Sequence, residues 1–179
     1  MHSDILSVLI SREDIKKKIE DLGKQITRDY TGKELFLICI LRGSMICFSD
    51  LIREIELPLT FDFISASSYN NDAVSSQKVE MYIPKFDISN KDVIIVEDIV
   101  DTGFTINRVK KAVSELKPKS VALFSLLDKP SRRQTFVEIN YLGFQIPDEF
   151  VVGYGLDYAQ KYRNLKDICI LKPEIYLNQ

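Results

Sequence analysis

Nine residues in the middle of the chain, Glu97-Asp98-Ile99-Val100-Asp101-Thr102-Gly103-Phe104-Thr105, hold three carboxylates and two hydroxyls at close spacing. They follow Val93-Ile94-Ile95-Val96, an apolar run that reads as a buried strand. Adjacent carboxylates at a strand end can hold ribose hydroxyls or a divalent cation. The small polar turn from Asp101 to Thr105 leads into a helix with Ile106, Val109, Val113 and Leu116 on one face. A helix N-terminus offers free N–H groups and partial positive charge, which suits a phosphate. Neither GxxxxGK[ST] nor GxGxxG is present here. A role for Asp101 as the helix N-cap is compatible with the same pattern.

Composition removes other chemistries. The chain has 179 residues and a single histidine, His2, so a histidine-based triad and multi-histidine metal sites fall away. Cys39, Cys47 and Cys169 lack CxxC spacing and are odd in number, which points to a reducing, cytoplasmic setting without disulfides. The longest clean apolar run, Leu35 to Leu41, is far below the ~18 residues of a membrane span. The N-terminus alternates polar and apolar residues and does not read as a signal peptide. Net charge is −2, and Lys16-Lys17-Lys18 lies on a mixed-charge helix, so neither nucleic acid nor membrane is an expected partner.

The elements that must position these residues follow from periodicity. Ser11, three residues before Asp14, marks a helix start. Ile15, Ile19, Leu22, Ile26 and Tyr30 predict an amphipathic helix over 12–30, stopped by Gly32. Leu35 to Leu41 predicts a strand buried on both faces. Arg42-Gly43-Ser44 forms a turn, and a second helix carries Met45, Phe48, Leu51, Ile52 and Ile55 until Pro58. Leu59 to Ser65 predicts a strand. Residues 65–78 are polar and read as a loop, with a returning strand over Val79 to Ile83. Val121 to Leu127 predicts a buried strand, Phe136 to Phe144 is mixed, and Phe150-Val151-Val152 and Ile168 to Leu171 read as short strands. Strands alternating with helices imply an α/β fold with a mostly parallel sheet flanked by helices. Ligands in such sheets bind beyond the carboxyl ends of the strands, here after Leu41, Val96, Leu127 and Val152.

The thirteen residues from Val93 to Thr105 resemble the signature of type I phosphoribosyltransferases for phosphoribosyl pyrophosphate (PRPP). Further segments resemble the hypoxanthine-guanine branch of that family, from about Ile5 to Leu171. Leu41-Arg42-Gly43-Ser44 is similar to its diphosphate loop, and Ser68-Tyr69 opens what resembles its mobile catalytic loop. Leu127-Asp128-Lys129 is similar to its purine-reading strand end. Phe150 to Tyr158, with Tyr162-Arg163-Asn164-Leu165, is similar to its hood motif.

The resemblance implies a single phosphoribosyltransferase domain over 1–179. It has a hood from the N-terminal segment and about 129–179, and a mobile lid loop at about 65–80. It implies transfer of phosphoribosyl from PRPP to N9 of hypoxanthine or guanine, giving IMP or GMP and diphosphate. Asp101 would be the general base near purine N7. Glu97 and Asp98 would hold the ribose hydroxyls, and Asp101, Thr102, Gly103, Phe104 and Thr105 would wrap the 5′-phosphate. Phe104 brings no charge there, so backbone amides and threonines carry that contact. Arg42, Gly43, Ser68, Tyr69 and Arg163 would bind diphosphate. Lys129, Phe150, Val151 and Asp157 would read the purine. Glu97, Asp98 and Asp157 would meet Mg²⁺. Leu41–Arg42 would be a cis peptide, and Arg133 would either add to the diphosphate side or face solvent. The resemblance also implies a homodimer or homotetramer, which the helix from Met45 to Ile55 could serve.

Two other readings are weaker. A regulator built on the same fold would need a basic face and could dispense with Asp101. A haloacid-type phosphatase would need DxDx[TV], and Asp98 and Asp101 do not have that spacing. Hypoxanthine against guanine preference and xanthine tolerance are not encoded in the motifs.

Overall fold

The computed structural model describes residues 2–68, 79–82 and 87–177. Its main sheet has the strand order β4-β3-β2-β5-β6-β7. The strands are β2 (Leu35–Leu41), β3 (Leu59–Ser68), β4 (Val79–Tyr82), β5 (Asp92–Val100), β6 (Ser120–Asp128) and β7 (Tyr141–Gln145). All pairings are parallel except β3 with β4. Alternating residues of the central strands feed opposite faces, as the two-residue period of a strand requires. Leu35, Leu37, Cys39, Ile94 and Val96 pack on one side with helices α1 (Arg12–Asp29) and α2 (Met45–Glu54). Phe36, Ile38, Ile40, Val93 and Ile95 pack on the other side with α3 (Phe104–Glu115).

Helix α1 begins as its sequence predicts. The Ser11 hydroxyl accepts from the Asp14 N–H at 3.1 Å and donates to the Asp14 carboxylate at 2.6 Å. Ile15, Ile19, Leu22 and Ile26 are its buried face. Gly32, at φ +76°, lies just beyond its end.

A second sheet, in the order β1-β9-β8, sits above the first. It joins β1 (Ile5–Ile10), β9 (Ile168–Leu171) and β8 (Val151–Val152), all antiparallel. The short helix α4 (Pro173–Tyr176) follows it. The Arg12 N–H donates to Asp167 at 2.8 Å and the Tyr162 hydroxyl donates to Asp4 at 2.6 Å, tying this sheet to the start of the chain.

Three elements depart from expectation. Strand β5 runs through Glu97 and Asp98 to Val100, because β6 stays paired with it as far as Asp128. Strand β3 runs to Ser68, so residues 65–68 are not loop; antiparallel pairing with β4, Ser65 to Tyr82 and Ser68 to Val79, extends it. Strand β1 has no counterpart among the predicted elements. Of the lid expected over about 65–80, residues 79 and 80 are also strand, in β4, and residues 69–78, Tyr69 among them, lie outside the described residues.

Candidate active site

The carboxyl ends of β2, β5 and β6 and the underside of the second sheet enclose a cleft of about 750 Å³. Of the sequence-predicted residues it brings together Arg42, Gly43, Glu97, Asp98, Thr105, Lys129, Phe150, Val151, Asp157 and Arg163. Asp101, Thr102, Gly103 and Phe104 do not line it. Ser68 ends β3, and its side chain, like Tyr69, is outside what the structure describes. Ile99 and Leu156, inside the sequence motifs but given no role by them, also line the cleft, and Gln160 lines it without any motif marking it.

Glu97 and Asp98 stand on the last part of β5. Burial, then the negative charge of Asp98, pushes the Glu97 carboxyl well above the usual carboxylate range. Burial also raises Asp98, against the hydrogen bond it accepts from the Ile99 N–H at 2.8 Å. The two desolvated carboxylates stand side by side, with the charge of Arg163 acting on Asp98. Their hard oxygens are the donor set of Mg²⁺. Among the described residues no three acidic, histidine or cysteine side chains form a metal-holding group, so Asp157 stands apart from this pair. Asp157 instead pairs with Arg163 at 2.8 Å and accepts from the Gln160 N–H at 2.8 Å.

The turn after β2 passes directly over these carboxylates. The peptide between Leu41 and Arg42 is cis. A Cβ on Gly43 would overlap the Asp98 carboxylate, and a Cβ on Gly155 would overlap the Gly43 carbonyl. The close approach of β5, the Arg42–Ser44 turn and the hood therefore depends on side chains being absent at both positions. The fully buried Ser44 hydroxyl donates to the Ile40 carbonyl and fixes the turn from below.

The turn after β5 is held differently from the sequence expectation. Gly103, at φ +92°, is the N-cap of α3, so Asp101 is not the cap. A left-handed cap suits glycine, and the chain bends there two residues too late for Asp101 to reach the helix N–H groups. Asp101 Oδ1 lies 3.1 Å from Arg132 Nε, an ion-pair contact. That oxygen is buried yet accepts no hydrogen bond. Arg133 neither faces solvent nor joins the diphosphate side. It donates to the Asp101 carbonyl at 3.0 Å, to the Val100 carbonyl at 3.2 Å and to the Asp128 carboxylate. It thus ties the ends of β5 and β6 and sets the Asp101 backbone. Arg133→Ala is expected to destabilise the fold by about 3 kcal/mol, because Asp128 is left buried without its partner. A denaturant titration measures this; an unchanged midpoint would remove the bracing role.

Lys129 follows β6 at a 3-10 turn (Pro130–Arg132). It is 8% exposed, and its Nζ donates to the Glu149 carbonyl at 2.5 Å. Burial lowers its pKa, against the pull of Asp101 and Asp148. Phe150 follows Glu149. One face stacks on Tyr176 at 4.7 Å between centroids, and its ring meets Tyr158 edge-on at 5.5 Å. The Leu171 N–H donates to the Phe150 carbonyl at 2.9 Å. In an antiparallel ladder the next residue then turns its N–H and C=O the other way, so Val151 presents both at the open edge of β8. A buried cation, an aromatic ring and an exposed strand edge together suit a flat heterocycle carrying an oxo group.

The family model described as "Phosphoribosyl transferase domain" matches residues 10–159. A hypoxanthine-guanine phosphoribosyltransferase of Staphylococcus aureus (strain Mu50) is 46% identical over 179 residues, which cover 99% of this chain and 100% of that protein. A crystal structure of a hypoxanthine phosphoribosyltransferase from Staphylococcus aureus superposes with a TM-score of 0.92 at 46% identity, covering 98% of this chain and 96% of that one. A hypoxanthine-guanine phosphoribosyltransferase from Bacillus anthracis, with a HEPES molecule in the active site, superposes with a TM-score of 0.88 at 46% identity, covering 94% and 99%.

Proposed function

The chain belongs to the phosphoribosyltransferase family, in its hypoxanthine-guanine branch, and from that premise we propose how its cleft does the chemistry. The reaction is a pentosyl transfer of purine salvage: a 6-oxopurine displaces diphosphate from C1 of PRPP. The purine N9–C1 bond forms, the C1–O bond to diphosphate breaks, and the purine proton leaves to a base. The observation that carries the residue roles is the meeting of Lys129 and Phe150 with Glu97 and Asp98 in one cleft.

Lys129 donates to the purine O6, which selects hypoxanthine and guanine over adenine. Its tie to Glu149 places this donor next to Phe150, on which the base stacks. Val151 reads the purine edge through its backbone, and Asp157 meets the guanine amino side. Thr105 and the start of α3 hold the 5′-phosphate, with Thr102, Gly103 and Phe104 shaping the turn from outside the cleft. Arg42, Gly43 and Arg163 bind diphosphate, together with Ser68 and Tyr69. Asp101 accepts the proton at N7; the donor-free oxygen beside Arg132 supports this role. Glu97 and Asp98 hold the ribose hydroxyls.

Phosphoribosyltransferases generally use Mg²⁺ with PRPP. In this chain Glu97 and Asp98 would hold it, with Asp157 reaching it through water. When bound, Mg²⁺ supplies neutralising charge to the leaving diphosphate. We place the enzyme in the cytoplasm, which the three free, buried cysteines support. Among the described residues no helix is long and apolar enough to cross a membrane. Assembly as a dimer or tetramer is supported by the exposed Met45 and Phe61 at the α2 face, where Phe61 meets Phe48 edge-on.

The function is tested by steady-state kinetics with PRPP, Mg²⁺ and each of hypoxanthine, guanine, xanthine and adenine. Turnover of hypoxanthine or guanine is expected; turnover of adenine alone would overturn the assignment. Lys129→Ala is expected to raise the KM for hypoxanthine roughly 10- to 100-fold, the loss of one charge-assisted hydrogen bond. The KM for PRPP should stay close to that of the parent enzyme. Loss of PRPP affinity instead would move Lys129 out of the purine site.

A further inference from the structure

We propose that Gln160 is a positioning residue for the diphosphate site, its amide oxygen holding Arg42 and Arg163 together as one anion clamp. Arg42 Nη1 and Arg163 Nη2 each donate to Gln160 Oε1 at 3.1 Å. Two donors facing one atom identify it as the oxygen of the amide. Guanidiniums repel each other, and a shared acceptor between them offsets that repulsion without cancelling either charge. Arg163 is held further by the Gly155 carbonyl at 2.7 Å and by Asp157. Asp157 also accepts from the Gln160 N–H. Arg42, Gln160, Arg163 and Asp157 form one connected set along the cleft wall.

The backbone at this point is unusual in the same direction. Tyr158 and Lys161 exchange N–H···O bonds at 3.2 and 2.9 Å. Between them Ala159 has φ +49° and Gln160 has φ +65°. Such a two-residue turn favours Asn-Gly, and neither residue here is of that kind. A glutamine held in the left-handed region beside a binding cleft is kept there by something other than local preference. Its conformation aims the side chain at both arginines.

Loss of the clamp affects how readily the anion is captured. Once diphosphate is bound it gathers the two arginines itself, so the chemical step is not altered. This is the pattern of uniform binding, in which KM rises and kcat does not move.

The proposal rests on the diphosphate roles of Arg42 and Arg163, and the experiment separates the two. Asparagine is at home at positive φ, so Gln160→Asn keeps the turn, but its side chain is too short to reach both guanidiniums. It is expected to raise the KM for PRPP and the inhibition constant for inorganic diphosphate about 5- to 10-fold. Its kcat and hypoxanthine KM should stay within about twofold of the parent, the split expected for uniform binding. Gln160→Glu keeps length and acceptor but sets a negative charge between the two guanidiniums, so it should raise both constants at least as much as Gln160→Asn. Gln160→Asn behaving as the parent enzyme, or raising the hypoxanthine KM equally, overturns the proposal, as does a Gln160→Glu enzyme that is inhibited by diphosphate as strongly as the parent. If Arg163→Ala leaves diphosphate inhibition intact, the diphosphate reading itself falls. If Arg163→Ala weakens inhibition and Gln160→Asn does not, only the bridging role of Gln160 falls.

Discussion

Asp101→Asn lowers kcat by ~10²- to 10⁴-fold in the expected result, the usual range for loss of a general base, and leaves the KM for PRPP nearly unchanged. The substitution is close to isosteric. The Arg133 bond that sets this turn goes to the Asp101 carbonyl, which the variant retains. On the proposed role, the variant loses the proton acceptor and a negative charge near a carbon that becomes oxocarbenium-like. Asp101 Oδ1 is buried and takes no hydrogen bond. Arg132 contacts that oxygen from the 3-10 turn and reaches Asp148 at 3.6 Å. Asp148 lies 3.9 Å from Lys129 Nζ. Asp101 and Lys129 thus belong to one charged chain. Steady-state kinetics at saturating PRPP and hypoxanthine, with a thermal melt to verify folding, measures the effect. An unchanged kcat would remove Asp101 from the chemistry.

Excess chelator has the second large effect, a loss of turnover of roughly 100-fold or more, given the several kcal/mol that a bound cation supplies to developing charge. The pH dependence has a definite sign. Burial raises both Glu97 and Asp98, and the charge of Asp98 raises Glu97 further. A raised carboxyl keeps its proton to higher pH, so at lower pH a cation must displace more protons to bind. The Mg²⁺ needed for half-maximal activity should therefore rise as pH falls from 8 to 6. Full turnover in chelator would rule out the metal role, and a pH-independent Mg²⁺ requirement would remove the carboxylates from it.

Much of this arrangement could be read in the sequence because strand and carboxylate are contiguous. An apolar run followed by Glu97-Asp98 identifies a strand and what stands at its end. Lys129 stood out only through the resemblance of Leu127-Asp128-Lys129 to the family's purine-reading strand end. Strand β1 was not, because its partner is β9, with Ile5 opposite Leu171, and no local pattern reports a pairing across the whole chain. Arg132 and Arg133 are adjacent and chemically alike. Only the packing at the end of β6 separates the one that touches Asp101's carboxylate from the one buried on its backbone. Gln160 carries no signal at all: it is exposed, polar, and sits in a turn whose type its residues disfavour. What made it visible was the position of two distant guanidiniums.

The close packing of Gly43 against Asp98 and of Gly155 against Gly43 bears on drug resistance. A substitution at Gly155 would drive its Cβ into the Gly43 carbonyl, and one at Gly43 would displace the Asp98 carboxylate. Escape from an inhibitor that grips the Gly43 backbone would therefore carry a cost at the paired carboxylates.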